Sequence, residues 1–100
     1  MTLLFSSYQI RELHLKNRIV VSPMTQFSCV DGVPGDWHLV HLGRFALGGA
    51  GLVFVEQAAV QEIGRVTYGC LGLWNSQQIA PLARLAQFIQ ENGAAAALQL

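Results

Sequence analysis

The chain has 100 residues, a normal length for one domain, and 52% of them are hydrophobic while 12% are charged. That charged fraction is roughly half of the ~25% found in ordinary soluble domains, so we expect part of the apolar surface to be covered by other segments or chains. Six basic residues balance six acidic ones, which argues against nucleic acid or an anionic membrane as a partner.

Membrane insertion and secretion are not indicated either. The longest apolar run, residues 47–55, contains three glycines and is about half as long as a membrane-spanning helix requires. The first five residues have neither the basic start nor the apolar length of a signal peptide. Cys29 and Cys70 fit no metal or redox spacing. We therefore predict a cytoplasmic protein whose two thiols are reduced and partly buried.

The first predicted element is a β-hairpin within residues 4–18. Its strands are Phe5–Ile10 and Leu13–Leu15, joined by a polar turn. A run of β-branched residues, Ile19–Val21, follows, and such runs are typical of strands buried in parallel sheets. Pro23 ends this strand because proline cannot donate a ladder hydrogen bond.

The middle of the chain reads as a helix, a strand and a long loop. Asp36 is predicted to cap a helix over Trp37–Leu47, which two glycines end. Gly51–Val55 is a second buried strand. The stretch Ala59–Ser76 follows as a loop of unusual length, and long loops usually carry function when their aromatic content argues against disorder.

The last predicted elements are a helix and a third strand. Asn75 or Ser76 can cap a helix over Gln77–Glu91, although Pro81 favours a regular start about one turn late. Ala94–Leu100 is apolar and reads as a strand. A hairpin followed by β-α-β-α-β indicates a parallel α/β sheet. No Gly-x-Gly-x-x-Gly follows the first strand, which removes the main support for a dinucleotide-binding Rossmann fold.

Neutral polar residues occur at the carboxyl ends of all three strands. They are Ser22 and Thr25, then Gln57, then Gln99. In a β/α barrel such ends meet at one rim and form the active site. A carboxamide both donates and accepts, and a hydroxyl can donate, so this set matches the imide edge of a flavin ring. The alternative is that these residues merely meet water.

Three ionisable residues offer weaker signals. His38 and His41 are one helical turn apart, but two ligands do not make a metal site, so we predict packing or capping roles and no metal. Glu56 at a strand end is either a general base or a structural carboxylate. We favour the structural role, with an ion pair to Arg18 or Arg44.

Four segments together resemble one family. Leu15–Thr25 is similar to the N-terminal signature of the Old Yellow Enzymes, which are FMN-dependent NAD(P)H oxidoreductases often called ene-reductases. Gly51–Glu56 and Gly64–Thr67 resemble the family's second strand and the loop after it, and Leu98–Leu100 resembles its third strand end. The resemblance implies that residues 1–100 are the N-terminal part of a (β/α)8 TIM barrel, a partial domain with the hairpin, three strands and two helices.

The resemblance also implies cofactor contacts. Six residues match positions that contact FMN in the family: Ser22, Pro23, Met24, Thr25, Gln57 and Gln99. Thr25 matches the residue beside the flavin C4 carbonyl and N5, and Gln99 matches the glutamine that pairs with the pyrimidine edge. Gln57 stands where relatives usually have a smaller residue, which is a departure from the family pattern.

Substrate contacts and the reaction follow from the same resemblance. Phe27 and Val66 match positions that face a small enone-like substrate. NAD(P)H is the implied reductant, and the residues that donate the proton, hold the substrate carbonyl and bind the phosphate belong to later segments in the family. We therefore assign no catalytic residue and expect these 100 residues alone to be inactive. The rival interpretations are a shortened, non-catalytic module that self-associates as a homo-oligomer, and a barrel enzyme without flavin.

Overall fold

The computed structural model describes residues 2–100. The regular elements, in chain order, are β1 Tyr8–Ile10, β2 Leu13–Leu15, β3 Val20–Val21, α1 Asp36–Leu47, β4 Leu52–Ala59, β5 Leu71–Gly72, α2 Ile79–Glu91 and β6 Ala95–Gln99. Short 3-10 turns occupy Leu3–Phe5, Glu62–Gly64 and Ser76–Gln78. The predicted order of hairpin, β, α, β, α, β is confirmed, with the short strand β5 as an addition between β4 and α2.

The main sheet is parallel, and three of its four strands, β3, β4 and β6, lie side by side in sequence order. β3 and β6 both pair in parallel with the start of β4, Val20 and Ala95 each facing Leu52, so they lie on opposite sides of β4. In a doubly wound sheet the order in which strands are added reverses at the switch point. In a barrel each strand is added beside the preceding one. The order β3-β4-β6 therefore agrees with the predicted N-terminal part of a β/α barrel.

A β-bulge interrupts β4 near its carboxyl end. Phe54 pairs with Ala97 and Gln57 pairs with Gln99, so β4 uses one residue more than β6 over the same distance. A bulge of this kind changes which face of the sheet the following side chains occupy. Val55 and Glu56 are consequently both buried, while Gln57 is exposed.

The hydrophobic core lies between the sheet and the two helices. Val53, Val55 and Ala58 of β4 pack with buried residues of α1 and α2, chiefly Leu42 and Ile89. Strand side chains alternate between faces, and the spacing from Val55 to Ala58 reflects the bulge. The face that carries Gln57 and Gln99 is the one that α1 and α2 do not cover. Neither helix in residues 2–100 combines the length and the hydropathy needed to cross a bilayer.

Several predicted boundaries need correction. The hairpin strand predicted over Phe5–Ile10 begins only at Tyr8, because Leu3–Phe5 form a 3-10 turn whose Leu3 carbonyl accepts from the Ser6 hydroxyl at 2.6 Å. Asp36 is the first residue of α1 and not its cap. The N-cap is Gly35, which has no side chain to accept a hydrogen bond.

The long loop is shorter and more ordered than predicted. β4 extends to Ala59, and β5 pairs Leu71 and Gly72 with Ala58 and Ala59 in parallel. The regular part of α2 begins at Ile79, after a 3-10 turn that Asn75 caps by accepting from the Gln77 N–H at 2.9 Å. The late start predicted for this helix is confirmed, and the helix is followed by Gly93 at φ +89°.

Candidate functional site

Four of the eight residues singled out from the sequence lie close together at the carboxyl end of the sheet. Thr25, Gln57 and Val66 line one small cleft. Gln57 pairs with Gln99 on the adjacent strand, so their side chains project from the same face. The cleft thus combines the neutral Thr25 hydroxyl and Gln57 carboxamide with the apolar Val66 side chain. The Gln99 carboxamide projects from the neighbouring strand, beside Gln57.

The other four residues belong to the strand-end loop, by which we mean Ser22–Cys29. Within it Ser22 and Met24 are exposed, and Pro23 is half-buried. Phe27 is 58% exposed and adopts φ +54°, a conformation that is unusual for a bulky residue. The structure records no contact between these side chains and the cleft, so their predicted cofactor and substrate roles stay predictions.

The backbone of the strand-end loop is fixed by its neighbours. The Cys29 N–H donates to the Gly69 carbonyl at 3.0 Å, and the Trp37 indole N–H donates to the Gln26 side chain at 3.2 Å. Gly69 lies so close to the Phe27 carbonyl that a Cβ there would collide with it. The loop that carries Thr25 is therefore held between α1 and the turn before β5.

Arg65 organises the segment that carries Val66. Its guanidinium lies 5.1 Å from the ring centres of both Tyr68 and Trp74 and donates to the Glu62 carboxylate at 3.3 Å. Both rings can hold the cation by cation–π attraction. Arg65 and Val66 also line the same cleft as Thr25, so this packing fixes one wall of the cleft.

A second polar group lies behind the cleft, on the helix side of β4. Glu56 is 0% exposed, and its Oε2 lies 3.7 Å from Nε2 of His38, which is also 0% exposed. The Cys29 Sγ lies 3.4 Å from the same Nε2. The ion pair predicted between Glu56 and Arg18 or Arg44 is wrong, because the bulge directs Glu56 toward α1 and His38.

Cys29, His38 and Glu56 have the residue types and the spacing of a metal site, with ligand atoms within 4.8 Å of one another. The tautomer of His38 argues against that use. The Gly35 N–H donates to Nδ1 at 3.1 Å, so Nε2 carries the proton of the neutral ring. A metal-bound histidine instead donates from its outer nitrogen, and Nε2 here has no lone pair to offer.

Burial shifts the protonation equilibria of this cluster. Loss of solvent raises the pKa of Glu56 to about 7, and the backbone N–H groups of Gln26 and Leu71 oppose part of that rise. Burial, reinforced by the nearby Glu56 charge, raises the pKa of the Cys29 thiol to about 12. Burial and the neighbouring His41 lower the pKa of His38. At neutral pH the histidine and the thiol are thus uncharged, and Glu56 is the group that titrates.

Sequence reasoning predicted the capping and packing role of His38 correctly and missed the cluster that it forms with Cys29 and Glu56. His38 accepts the N-cap N–H and is fully buried, which confirms the predicted capping and packing role. Cys29 and Cys70 are free and are more deeply buried than expected, at 4% and 6% exposure. The available signal was a glutamate between the apolar Val55 and a polar Gln57. Strict alternation predicts that Glu56 and Gln57 lie on opposite faces of the sheet. It does not predict which of the two is buried, or that the buried one lies beside His38.

The chain is similar in sequence to a known flavin oxidoreductase family and to NADPH dehydrogenases. Residues 3–100 match the sequence model of the NADH:flavin oxidoreductase / NADH oxidase family. An NADPH dehydrogenase of Listeria monocytogenes serotype 4a (strain HCC23) is 46% identical over the whole chain. An NADPH dehydrogenase of Geobacillus sp. (strain WCH70) is 43% identical over 99% of the chain.

Solved structures give the same fold. Morphinone reductase superposes with a TM-score of 0.88 at 30% identity, over 97% of this chain and 25% of its own. An Old Yellow Enzyme from Pichia sp. AKU4542 superposes with a TM-score of 0.91 at 22% identity, over 99% of this chain and 26% of its own, and supports the fold alone. The chain spans about 30% of the length of the curated relatives it matches.

Proposed function

Because the chain belongs to the NADH:flavin oxidoreductase / NADH oxidase family, in agreement with its Old Yellow Enzyme signature, we propose that it supplies part of the FMN site of an NAD(P)H oxidoreductase. The observation that carries the proposal is the placement of Thr25 and Gln57 at one cleft, with Gln99 beside Gln57 on the adjacent strand. Three neutral side chains that both donate and accept hydrogen bonds suit the alternating N–H and carbonyl groups of a flavin pyrimidine.

The residues of the cleft fit this group in type and in exposure. Gln99 and Gln57 are exposed on the uncovered face, and Thr25 is half-buried, so a planar ring can approach all three. Bound FMN would supply hydride chemistry, accepting hydride from NAD(P)H and passing it to an activated alkene. The residues of this chain bind and orient the ring, and Ser22, Pro23 and Met24 line its approach from the strand-end loop.

Substrate contacts are proposed at the two exposed apolar residues beside the cleft. Phe27 and Val66 are 58% and 74% exposed and can cover a small enone-like molecule lying on the ring. Because the chain spans about 30% of its relatives, we propose that the remaining parts of the reaction machinery come from other segments. The isolated chain is then inactive, and its free buried thiols suit the cytoplasm.

A titration with riboflavin, which carries the ring without the phosphate, tests the cofactor proposal. We expect NMR shifts confined to the Thr25 amide and the Gln57 and Gln99 carboxamides, and a roughly tenfold loss of affinity in Gln99→Leu, since one polar partner is worth about 1.4 kcal/mol. Gln90→Leu, on the exposed side of α2, is the matched control and should bind as the parent does. Shifts centred elsewhere, or equal affinity in Gln99→Leu, would contradict the proposal.

A second candidate function is self-association as a homo-oligomer. An apolar groove of about 320 Å³ runs between α2 and β6, lined mainly by Val55, Leu82, Ala96 and Leu98. In the described residues β6 pairs only with β4, and an open edge of this kind can pair with a second copy. Sedimentation of the isolated chain at two concentrations should show a dimer that Leu98→Glu disrupts. A monomer at both concentrations would remove this candidate.

A further inference from the structure

Among the described residues, Glu56 is the buried carboxyl group that lies where α1, the strand-end loop and β5 meet. His38 approaches it from α1, Cys29 from the strand-end loop, and the Leu71 N–H from β5. Neither of its carboxylate oxygens has a hydrogen-bond partner at normal geometry among residues 2–100. A buried carboxylate without partners is costly, so its environment calls for an explanation.

Several donors lie near this carboxylate without forming a normal hydrogen bond to it. They are the Nε2–H of His38, the S–H of Cys29, and the backbone N–H groups of Gln26 and Leu71. The ionised Glu56 carboxylate accepts hydrogen bonds at both oxygens. The protonated acid has less acceptor capacity, because one of its oxygens carries a proton and donates. Ionisation therefore increases the attraction between the three segments and Glu56.

We propose that Glu56 is a positioning residue whose ionised carboxylate draws the strand-end loop toward α1 and β5 and thereby sets the placement of Thr25 at the cleft. Cys29 is the direct link, since it belongs to the strand-end loop that carries Thr25 and its Sγ lies within 4.8 Å of a Glu56 carboxylate oxygen. Protonation of Glu56 relaxes this hold. The relevance of Thr25 placement to FMN rests on the proposed function, while the coupling between Glu56 and the loop does not.

The titration of Glu56 can be distinguished from that of the groups around it. His38 and His41 of α1 both have a pKa below the usual histidine value because they are buried. The Cys29 thiol, with Cys70 close to it, stays protonated through neutral pH. No arginine or lysine forms an ion pair with Glu56 within residues 2–100. A transition near pH 7 therefore reports Glu56.

NMR of the isolated chain tests the coupling without flavin. We expect the Glu56 side-chain carbon to titrate near pH 7, and the Gln26, Leu71 and Thr25 amide shifts to follow the same midpoint. In Glu56→Gln these amide shifts should no longer depend on pH in this range. Glu62→Gln, which removes an exposed carboxylate paired with Arg65, is the matched control and should leave the transition in place.

Two results would overturn the proposal. One is a Glu56 carbon that titrates at the value of an exposed glutamate, about 4.3; the other is an amide response of Gln26 and Thr25 that persists in Glu56→Gln. If Glu56→Gln does not fold, the parent titration alone decides, because the amides either share the Glu56 midpoint or do not. Absence of riboflavin binding would contradict the proposed function and leave this result untouched.

Discussion

Glu56 and Gln57 are neighbours in the chain, yet they belong to two different regions of the molecule. Glu56 lies on the helix side of β4, without solvent and beside His38. Gln57 lies on the uncovered side, exposed and paired with Gln99. Alternation along the strand puts the two side chains on opposite faces, and the additional residue in β4 decides that Glu56 is the buried one. The comparison teaches that the chemistry of this strand end is divided between an exposed polar surface and a buried support.

The largest expected effect comes from removing His38, which is part of the buried support. His38→Ala deletes a fully buried ring and the acceptor for the Gly35 N–H, so we expect the free energy of unfolding to fall by about 2–4 kcal/mol. Gln57→Ala, on the exposed side, should change it by less than about 0.5 kcal/mol. Urea unfolding of both variants measures the contrast. Equal losses would mean that the two sides of β4 do not differ as described.

The next effect depends on pH. The pKa of Glu56 is raised from 4.5 to about 7 in the folded chain, so the native state binds the extra proton between these values. The contribution of Glu56 to the free energy of unfolding therefore falls by ~3 kcal/mol at most as pH rises from 4.5 to about 7. Above that range the contribution is constant. The histidines, with a lowered pKa, act oppositely: their contribution is lost as pH falls below 6.5.

Comparison with Glu56→Gln separates these opposing contributions. The stability of this variant relative to the parent should increase between about pH 5 and about pH 8, because only the parent loses stability by ionising Glu56. Urea unfolding at both pH values measures it, and Glu62→Gln should show no such change. A constant difference between parent and Glu56→Gln would place the Glu56 pKa near its ordinary value.

A smaller effect is expected on the exposed side, where we propose that FMN binds. Thr25→Val keeps the shape of the side chain and removes its hydroxyl, so the free energy of unfolding should stay within about 0.5 kcal/mol of the parent. Riboflavin affinity should fall about fivefold, in keeping with one lost hydrogen bond of ~1 kcal/mol. Fluorescence titration of riboflavin measures this loss. Unchanged affinity would exclude Thr25 from the ring contact.

The smallest effect concerns charge without burial. Arg84 and Asp36 form an ion pair at 3.1 Å, but their side chains are 63% and 86% exposed. Solvent screens such pairs, and Arg84→Ala should change the free energy of unfolding by less than about 0.5 kcal/mol. Thermal unfolding at low and at high salt measures this. A larger loss would show that exposed charges matter here as much as the buried His38 does.

The sequence was sufficient for the order of elements and insufficient for the details that separate the two regions. Apolar runs and glycine stops located β3, α1, α2 and β6 to within a few residues, because burial and chain reversal leave strong local patterns. The bulge in β4 leaves none: its evidence is a pairing between Gln57 and Gln99 that depends on another strand. The contact of Glu56 with His38 follows from that bulge and was equally inaccessible.

The candidate site divides in the same way. Thr25, Gln57 and Gln99 were identified as polar strand ends, and their placement at the same end of the sheet follows from its parallel strands. The approach of Cys29 to His38 crosses a loop whose course depends on Asp31 at φ +51° and on Gly69. Such turns are chosen by tertiary contacts, and residue propensity alone does not select them.

The close approach of Gly69 to the Phe27 carbonyl has a practical consequence for anyone who reshapes this protein. Phe27 and Val66 are exposed and can be randomised in a library at little expense to folding. Gly69 cannot, because every other residue brings a carbon atom into the space of the neighbouring backbone. Directed evolution of the rim should vary the two side chains freely and keep codon 69 constant.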